Sequence, residues 1–180
     1  MPKGSLEVIA GCMSCGKSEE LIRRIKREVI AKREVMVFKP AVDKRTDAAV
    51  IASRDGKSYT AIAISDIEEI LSCWNDSIQV VAFDEGQFFS EDLIRIVNTL
   101  VDRGARVLVA GLDTDFRGVP FETIARLMAL ADKVTKLTAV CMRCGGVATR
   151  SQRLVQSGER VLVGGDKEYE ARCRDCHEAL

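Results

Sequence analysis

The sequence predicts an α/β fold, a mainly parallel sheet flanked by helices, followed by a small cysteine-rich β appendage. Three observations carry that expectation. As far as Lys133, apolar runs of strand length alternate with stretches of helical periodicity, the pattern of parallel strands joined by right-handed crossovers. Residues 11–18, GCMSCGKS, fit the phosphate-loop pattern G-x-x-x-x-G-K-[ST] between a strand and a helix. Beyond Lys133 the chain turns to short β-like runs, glycines and two C-x-x-C pairs. The expected division is a phosphate-loop α/β unit over residues 1–138 and a zinc-binding unit over 139–180.

Each element has a local reason. Leu6, Val8 and Ile9 form a short buried strand, and Leu21, Ile22, Ile25 and Val29 fall on one stripe of a helix. Residues 34–39 (EVMVFK) read as a second strand, closed by Pro40. The stretch 41–49 is polar and irregular, with Asp43, Lys44 and Arg45 at its centre. Residues 50–52 and 59–64 read as short strands around the turn signal Asp55-Gly56. Ser65-Asp66-Ile67-Glu68 fits a capping box opening a helix through about Cys73. Residues 78–83 (IQVVAF) are almost continuously apolar, as a strand covered on both faces should be. A helix over 91–102 presents Leu93, Val97 and Leu100 on one face and stops at Gly104; a strand at 106–110 and a helix at 121–131 follow. Most of Arg23, Arg24, Lys26, Arg27, Lys32 and Arg33 are expected on a solvated helix face.

Composition narrows the function classes. The 27 basic and 27 acidic side chains cancel, whereas nucleic-acid-binding domains carry a basic surplus. No apolar run approaches the ~20 residues of a membrane span. The opening MPKGSLEVIAG enters a strand at once and lacks a signal peptide's apolar stretch. Seven cysteines, four of them in two C-x-x-C pairs, point to metal ligation in a reducing compartment, hence a cytoplasmic protein with neither membrane nor nucleic-acid partner.

The phosphate loop supplies the first half of a nucleotide site, and the block 11–18 (Gly11, Cys12, Met13, Ser14, Cys15, Gly16, Lys17, Ser18) is its candidate lining. Loop amides and the following helix N-terminus present positive partial charge to a polyphosphate. Lys17 is placed for the β- and γ-phosphates, and the Ser18 hydroxyl for Mg²⁺. The second half is VVAFDE at 80–85, an apolar strand ending in two carboxylates. Ligands gather at the carboxyl ends of parallel strands, so Asp84 is placed to hold Mg²⁺ opposite Ser18. Strand alternation aims Glu85 elsewhere and leaves it for accepting a proton from an attacking hydroxyl. Arg45 and Arg153 are candidate phosphate contacts.

Cys141, Cys144, Cys173 and Cys176 form two C-x-x-C knuckles separated by 28 residues. Four thiolates offered from two tight turns suit tetrahedral Zn²⁺, and the intervening chain makes a long excursion tied at its base. His177 adjoins the last of them and is expected at the surface, the four cysteines sufficing as ligands. Cys12 and Cys15 make a third C-x-x-C inside the phosphate loop. A helix N-terminus lowers a thiol's pKa, so oxidation or alkylation there would block nucleotide binding.

Taken together, these motifs resemble the phosphate-loop, zinc-containing thymidine kinase family of bacteria and animal cytosol. The resemblance rests on GCMSCGKS at 11–18, FKPAVDKR at 38–45, SRDG at 53–56, FDEGQFF at 83–89, AGLDTDFRGVPF at 110–121, KLTAVCMRC at 136–144, ATRSQRL at 148–154 and VLVGGDKEYEARCRDCH at 161–177. It implies ATP as phosphate donor with Mg²⁺, structural Zn²⁺, and thymidine or deoxyuridine as acceptor. It implies Glu85 as general base for the 5′-hydroxyl. It places Met13, Leu112 and Phe116 around thymine, with Phe88 and Phe89 as nearby apolar candidates and Gln87 in the same segment. Ser151, Leu162, Val163, Gly164 and Tyr169 would belong to a lasso over the base, whose backbone reads the polar edge of thymine near Leu162 and Gly164. Arg153 and Arg45 would meet the 5′ end and phosphates. A homotetramer and feedback by dTTP are further implications. The family's loop commonly has proline, an aromatic and serine where this chain has Cys12, Ser14 and Cys15, and Ser151 stands where threonine is frequent. Two other readings use the same motifs, a nucleic-acid-stimulated ATPase with a zinc ribbon and a non-catalytic nucleotide-binding module. Neutral charge weighs against the first, and Glu85 is unexplained by the second.

Overall fold

A strand apolar at every position must be covered on both sides, because successive side chains point to opposite faces. That requirement organises the whole chain, here described from a computed structural model at residues 4–42, 50–53, 56–156, 159–160, 162, 164–165 and 167–178. In chain order the α/β elements are β1 (Ser5–Gly11), α1 (Lys17–Ile30), β2 (Glu34–Pro40), β3 (Val50–Ala52), β4 (Ser58–Thr60), β5 (Ile62–Ile64), α2 (Glu69–Cys73), β6 (Ile78–Phe83), α3 (Asp92–Asp102), β7 (Arg106–Leu112), α4 (Glu122–Leu130) and β8 (Lys133–Leu137). Four short strands follow, β9 (Ala139–Val140), β10 (Val147–Ala148), β11 (Arg150–Arg153) and β12 (Tyr169–Arg172).

Six strands form one sheet in the order β5-β2-β6-β7-β1-β8, every neighbouring pair parallel. Alternation divides its side chains between two cores. Val8, Val81, Phe83, Val107 and Val109 pack with Leu93, Val97 and Leu100 of α3 and Ile124 and Leu127 of α4. Ile9, Val80, Ala82, Leu108 and Ala110 pack on the other face with Leu21, Ile22 and Ile25 of α1. Each such fully buried aliphatic side chain is worth roughly 1.5–3 kcal/mol relative to exposure, so the sheet is held from both sides. The other strands pair as antiparallel two-stranded units, β3 with β4, β9 with β10 and β11 with β12.

The structure revises several local expectations. The single strand expected over 59–64 is two, broken at Ala61, because β4 pairs with β3 whereas β5 joins the large sheet beside β2. The capping box is shifted by one residue: the Asp66 carboxylate accepts the Glu68 N–H at 3.0 Å, and the Glu69 carboxylate accepts the Asp66 N–H at 3.3 Å. Strand β7 continues two residues past the expected 110, to Leu112. Of the six basic residues expected mostly on a solvated face, five are exposed and Arg24 is the exception. It is 6% exposed, meeting Glu7 of β1 at 2.7 Å and Glu20 at 2.8 Å, and Arg106 of β7 joins Glu7 to Glu28 of α1. Among the described residues, no helix is long and apolar enough to cross a membrane.

Candidate active site

The loop between β1 and α1 is shaped by its glycines. A Cβ on Gly11 would stand 2.5 Å from the Leu137 carbonyl oxygen, and Gly16 takes the left-handed φ of 85° just ahead of α1. No side chain caps α1, so its first N–H groups remain available to an anion. Lys17 folds back onto the loop: its Nζ donates to the Cys12 carbonyl at 2.7 Å and lies 3.7 Å from the Cys15 Sγ. The Met13 N–H donates to the Ser151 Oγ at 3.0 Å, so β11 supports the loop directly. Ser18 and Asp84 are already together, the hydroxyl donating to Asp84 Oδ2 at 3.0 Å.

The two carboxylates after β6 are separated by a backbone reversal. Asp84 is buried just past the carboxyl end of β6 and accepts the Glu85 N–H at 3.0 Å. Burial, and then the neighbouring Glu85 charge, push Asp84 above the usual carboxylate range, while the Ser18 hydroxyl pulls the other way. A divalent cation would reverse that balance. Glu85 itself takes φ 53°, a left-handed conformation rare outside glycine and asparagine, which turns its side chain away from its neighbour. Gln87 holds it there. Its Nε2 donates to Glu85 Oε2 at 2.5 Å, and its Oε1 accepts the Leu112 N–H at 2.9 Å.

A cleft opens between these strand ends and the appendage. Met13, Glu85, Phe88, Leu112 and Phe116 line it from the α/β side, and Ser151, Leu162, Gly164 and Tyr169 from the other. The cleft brings together nine of the residues singled out in the sequence. Gln87 lies behind Glu85 rather than on the wall, and Phe89 faces the core, edge-on to Phe83. Arg153 is 2% exposed with its guanidinium 3.8 Å over the Phe116 ring. It donates to the carbonyls of Glu159 (2.5 Å) and Arg160 (3.1 Å) and to the Tyr169 hydroxyl (2.8 Å), and these contacts organise the excursion rather than reach toward the phosphate loop. The Leu162 carbonyl, expected to face a base, accepts from the Tyr169 hydroxyl at 3.0 Å. Arg45 and Val163 lie outside the described residues.

Sequence reasoning missed Thr114, Asp115, Phe121 and Arg160, which also line the cleft. The first three lie inside the 110–121 segment and could have been found there. Arg160 carried no local signal, yet it fastens the excursion to the α/β unit, donating to Asp115 Oδ2 and to the Pro120 carbonyl, both at 2.9 Å.

With this geometry in hand, the relatives are informative. The family pattern described as thymidine kinase matches residues 4–177. The chain belongs to the thymidine kinase family. Among its relatives, a thymidine kinase of Coprothermobacter proteolyticus is 48% identical over 181 residues, covering 97% of this chain and 91% of that protein. As a thymidine kinase homologue the protein is a kinase.

This family member also carries a candidate metal centre. The sulfurs of Cys141, Cys144, Cys173 and Cys176 all lie within 4.8 Å of one another. Four soft thiolate donors gathered this closely could hold a metal ion. His177 is not among them, nor is it a plain surface residue: its Nε2 lies 2.7 Å from the Phe116 carbonyl, which ties the second knuckle to the cleft wall. Chelation should therefore act at a distance. Stripping metal with a strong chelator is expected to raise amide hydrogen exchange in β9–β12 and weaken nucleoside binding at least tenfold, while exchange in β6 and β7 stays protected; unchanged exchange in β11 and β12 would count against a structural metal.

Cys12 and Cys15 sit beside this centre, Cys12 packing with Cys141, Ala148 and Ala171. The neighbouring Cys12 thiol, and then the Lys17 charge, hold Cys15 down to about 6 against its burial. The neighbouring Cys15 sulfur, together with burial, pushes Cys12 far upward.

Proposed function

We propose that the protein transfers the γ-phosphoryl group of ATP to the 5′-hydroxyl of thymidine, giving dTMP and ADP, with deoxyuridine as a second acceptor. The observation that carries this reading is that Glu85, braced by Gln87, lines the same cleft as Met13 of the phosphate loop. A proton acceptor and a phosphate cradle thus border one space.

In this reading the loop amides and the α1 N-terminus hold the triphosphate, and Lys17 leaves the Cys12 carbonyl to pair with the β- and γ-phosphates. Ser18 and Asp84 offer the hard oxygen donors that suit Mg²⁺. Bound there, Mg²⁺ would neutralise charge developing on the transferred group. Glu85 accepts the proton of the attacking hydroxyl, and the apolar walls at Met13, Leu112, Phe116 and Tyr169 hold the base and exclude water. The four cysteines would take Zn²⁺ and anchor both ends of the excursion that covers the cleft. The wider reading, on the same family grounds, is a cytoplasmic homotetramer subject to feedback by dTTP, an end product able to span both halves of the site.

The test is ATP turnover with and without nucleoside, both products being measured. ADP should form only when thymidine is present, in equal amount with dTMP. ADP release that ignores thymidine and rises with DNA or RNA would replace this reading with a nucleic-acid-stimulated ATPase.

A further inference from the structure

We infer that Cys12 and Cys15 form a thiol–disulfide site: a small-molecule disulfide closes a bond across the phosphate loop, and the oxidised loop releases ATP. The release rests on the loop being the ATP site proposed above; the bond itself does not.

The geometry is that of a reactive pair rather than two incidental small residues. Met13 and Ser14 occupy the tip of a turn, Ser14 at φ 63°, which sets the two cysteines at its corners. Their side chains belong to one packed cluster. Cys15 lies back across Gly11, its Sγ 2.7 Å from where a Gly11 Cβ would be, so the absent side chain makes room for the sulfur. Cys15 is half-buried and has the Lys17 ammonium 3.7 Å away, while Cys12 is 1% exposed. One reachable sulfur beside a cation and one enclosed partner are what attack and resolution require.

The chemistry balances without metal or nucleotide. The Cys15 thiolate attacks one sulfur of the disulfide RSSR, breaking its S–S bond, forming a mixed disulfide and expelling RS⁻. Cys12 then loses its proton to solvent and attacks the Cys15 sulfur, expelling the second RS⁻. The protein gives up two electrons, and RSSR becomes two thiols.

Two consequences bear on ATP. A disulfide imposes a Cβ–Cβ separation of about 3.5–4.5 Å and a dihedral near 90°, so it sets the corners of a loop whose amides must converge on phosphate. It also removes the Cys12 S–H, which donates to the Ala148 carbonyl at 3.5 Å and joins the loop to β10. The cross-linked turn keeps the closed arrangement in which Lys17 faces the Cys12 carbonyl.

The experiment treats the full-length, zinc-loaded protein with glutathione disulfide. It maps the disulfides by mass spectrometry, follows zinc release, and titrates ATP before oxidation, after it, and after re-reduction with dithiothreitol. A 12–15 link is expected with zinc retained, ATP affinity reduced at least tenfold and restored by the dithiol, and link formation slowed by saturating ATP. Cys73→Ser, which removes the exposed cysteine on α2, should leave this response intact. Cys12→Ser should stop at the mixed disulfide, and Cys15→Ser should form no link, each variant being compared with its own reduced form. Absence of a 12–15 link overturns the site, and a link that leaves ATP affinity unchanged overturns its effect. Reduced protein that binds no ATP would instead remove the function proposed above, and with it the release, while mapping would still decide whether the bond forms.

Discussion

Replacing Glu85 with glutamine is expected to lower kcat by about 10²–10⁴, the usual worth of a positioned general base, while ATP still binds. The isosteric amide keeps the contact with Gln87 and the fit at φ 53°, so the loss reads proton acceptance rather than collapse of the turn. Gln87→Ala should give a smaller fall in the same parameter, because it leaves the base present but unheld between Leu112 and the cleft. Steady-state kinetics in both substrates, with ATP affinity measured directly, check the pair. Full-rate transfer by the Glu85 variant would remove it from the mechanism and send the search for a proton acceptor to Asp84 or Asp115.

Arg153→Ala is expected to raise KM for thymidine at least tenfold, with KM for ATP nearly unchanged. The guanidinium satisfies two backbone carbonyls of the excursion and the Tyr169 hydroxyl, and it covers the Phe116 ring. Leaving even one buried acceptor unpaired costs about 1–3 kcal/mol, and 1.4 kcal/mol is a factor of ten in the closed population. Lysine should rescue only partly, since a single ammonium cannot reproduce a planar fork over an aromatic ring. Substrate kinetics and hydrogen exchange at Tyr169 and its neighbours would test this. A thymidine KM within twofold of the parent, with Tyr169 exchange unaltered, would show that the excursion is closed by other means, Arg160 and Asp115 being the next place to look.

Local pattern revealed the chemistry-bearing segments because each needs only its neighbours to be recognised. GCMSCGKS between an apolar strand and an amphipathic helix, DE at the end of a continuously apolar run, and two C-x-x-C knuckles are readable within a few residues of themselves. The misses share a cause. Arg24 could not be told from its exposed basic neighbours because its partner Glu7 is 17 positions away on β1, and 59–64 looked like one strand because the change of partner at Ala61 belongs to the sheet. The stacking of Arg153 on Phe116 was unreadable for the same reason, since nothing nearby in sequence announces it.

Taken alone, the order of amino acids determined which groups the protein has to work with: a phosphate cradle, a pair of carboxylates, four clustered thiols and an α/β frame to carry them. Only the folded chain decided how they are used. It turned Glu85 away from Asp84, gave Gln87 the task of holding it, set Ser151 against the phosphate loop and buried Arg153 under the excursion. The division has a physical basis. Reactivity belongs to a side chain and its immediate neighbours, whereas orientation and burial depend on contacts between segments that meet only when the sheet is assembled.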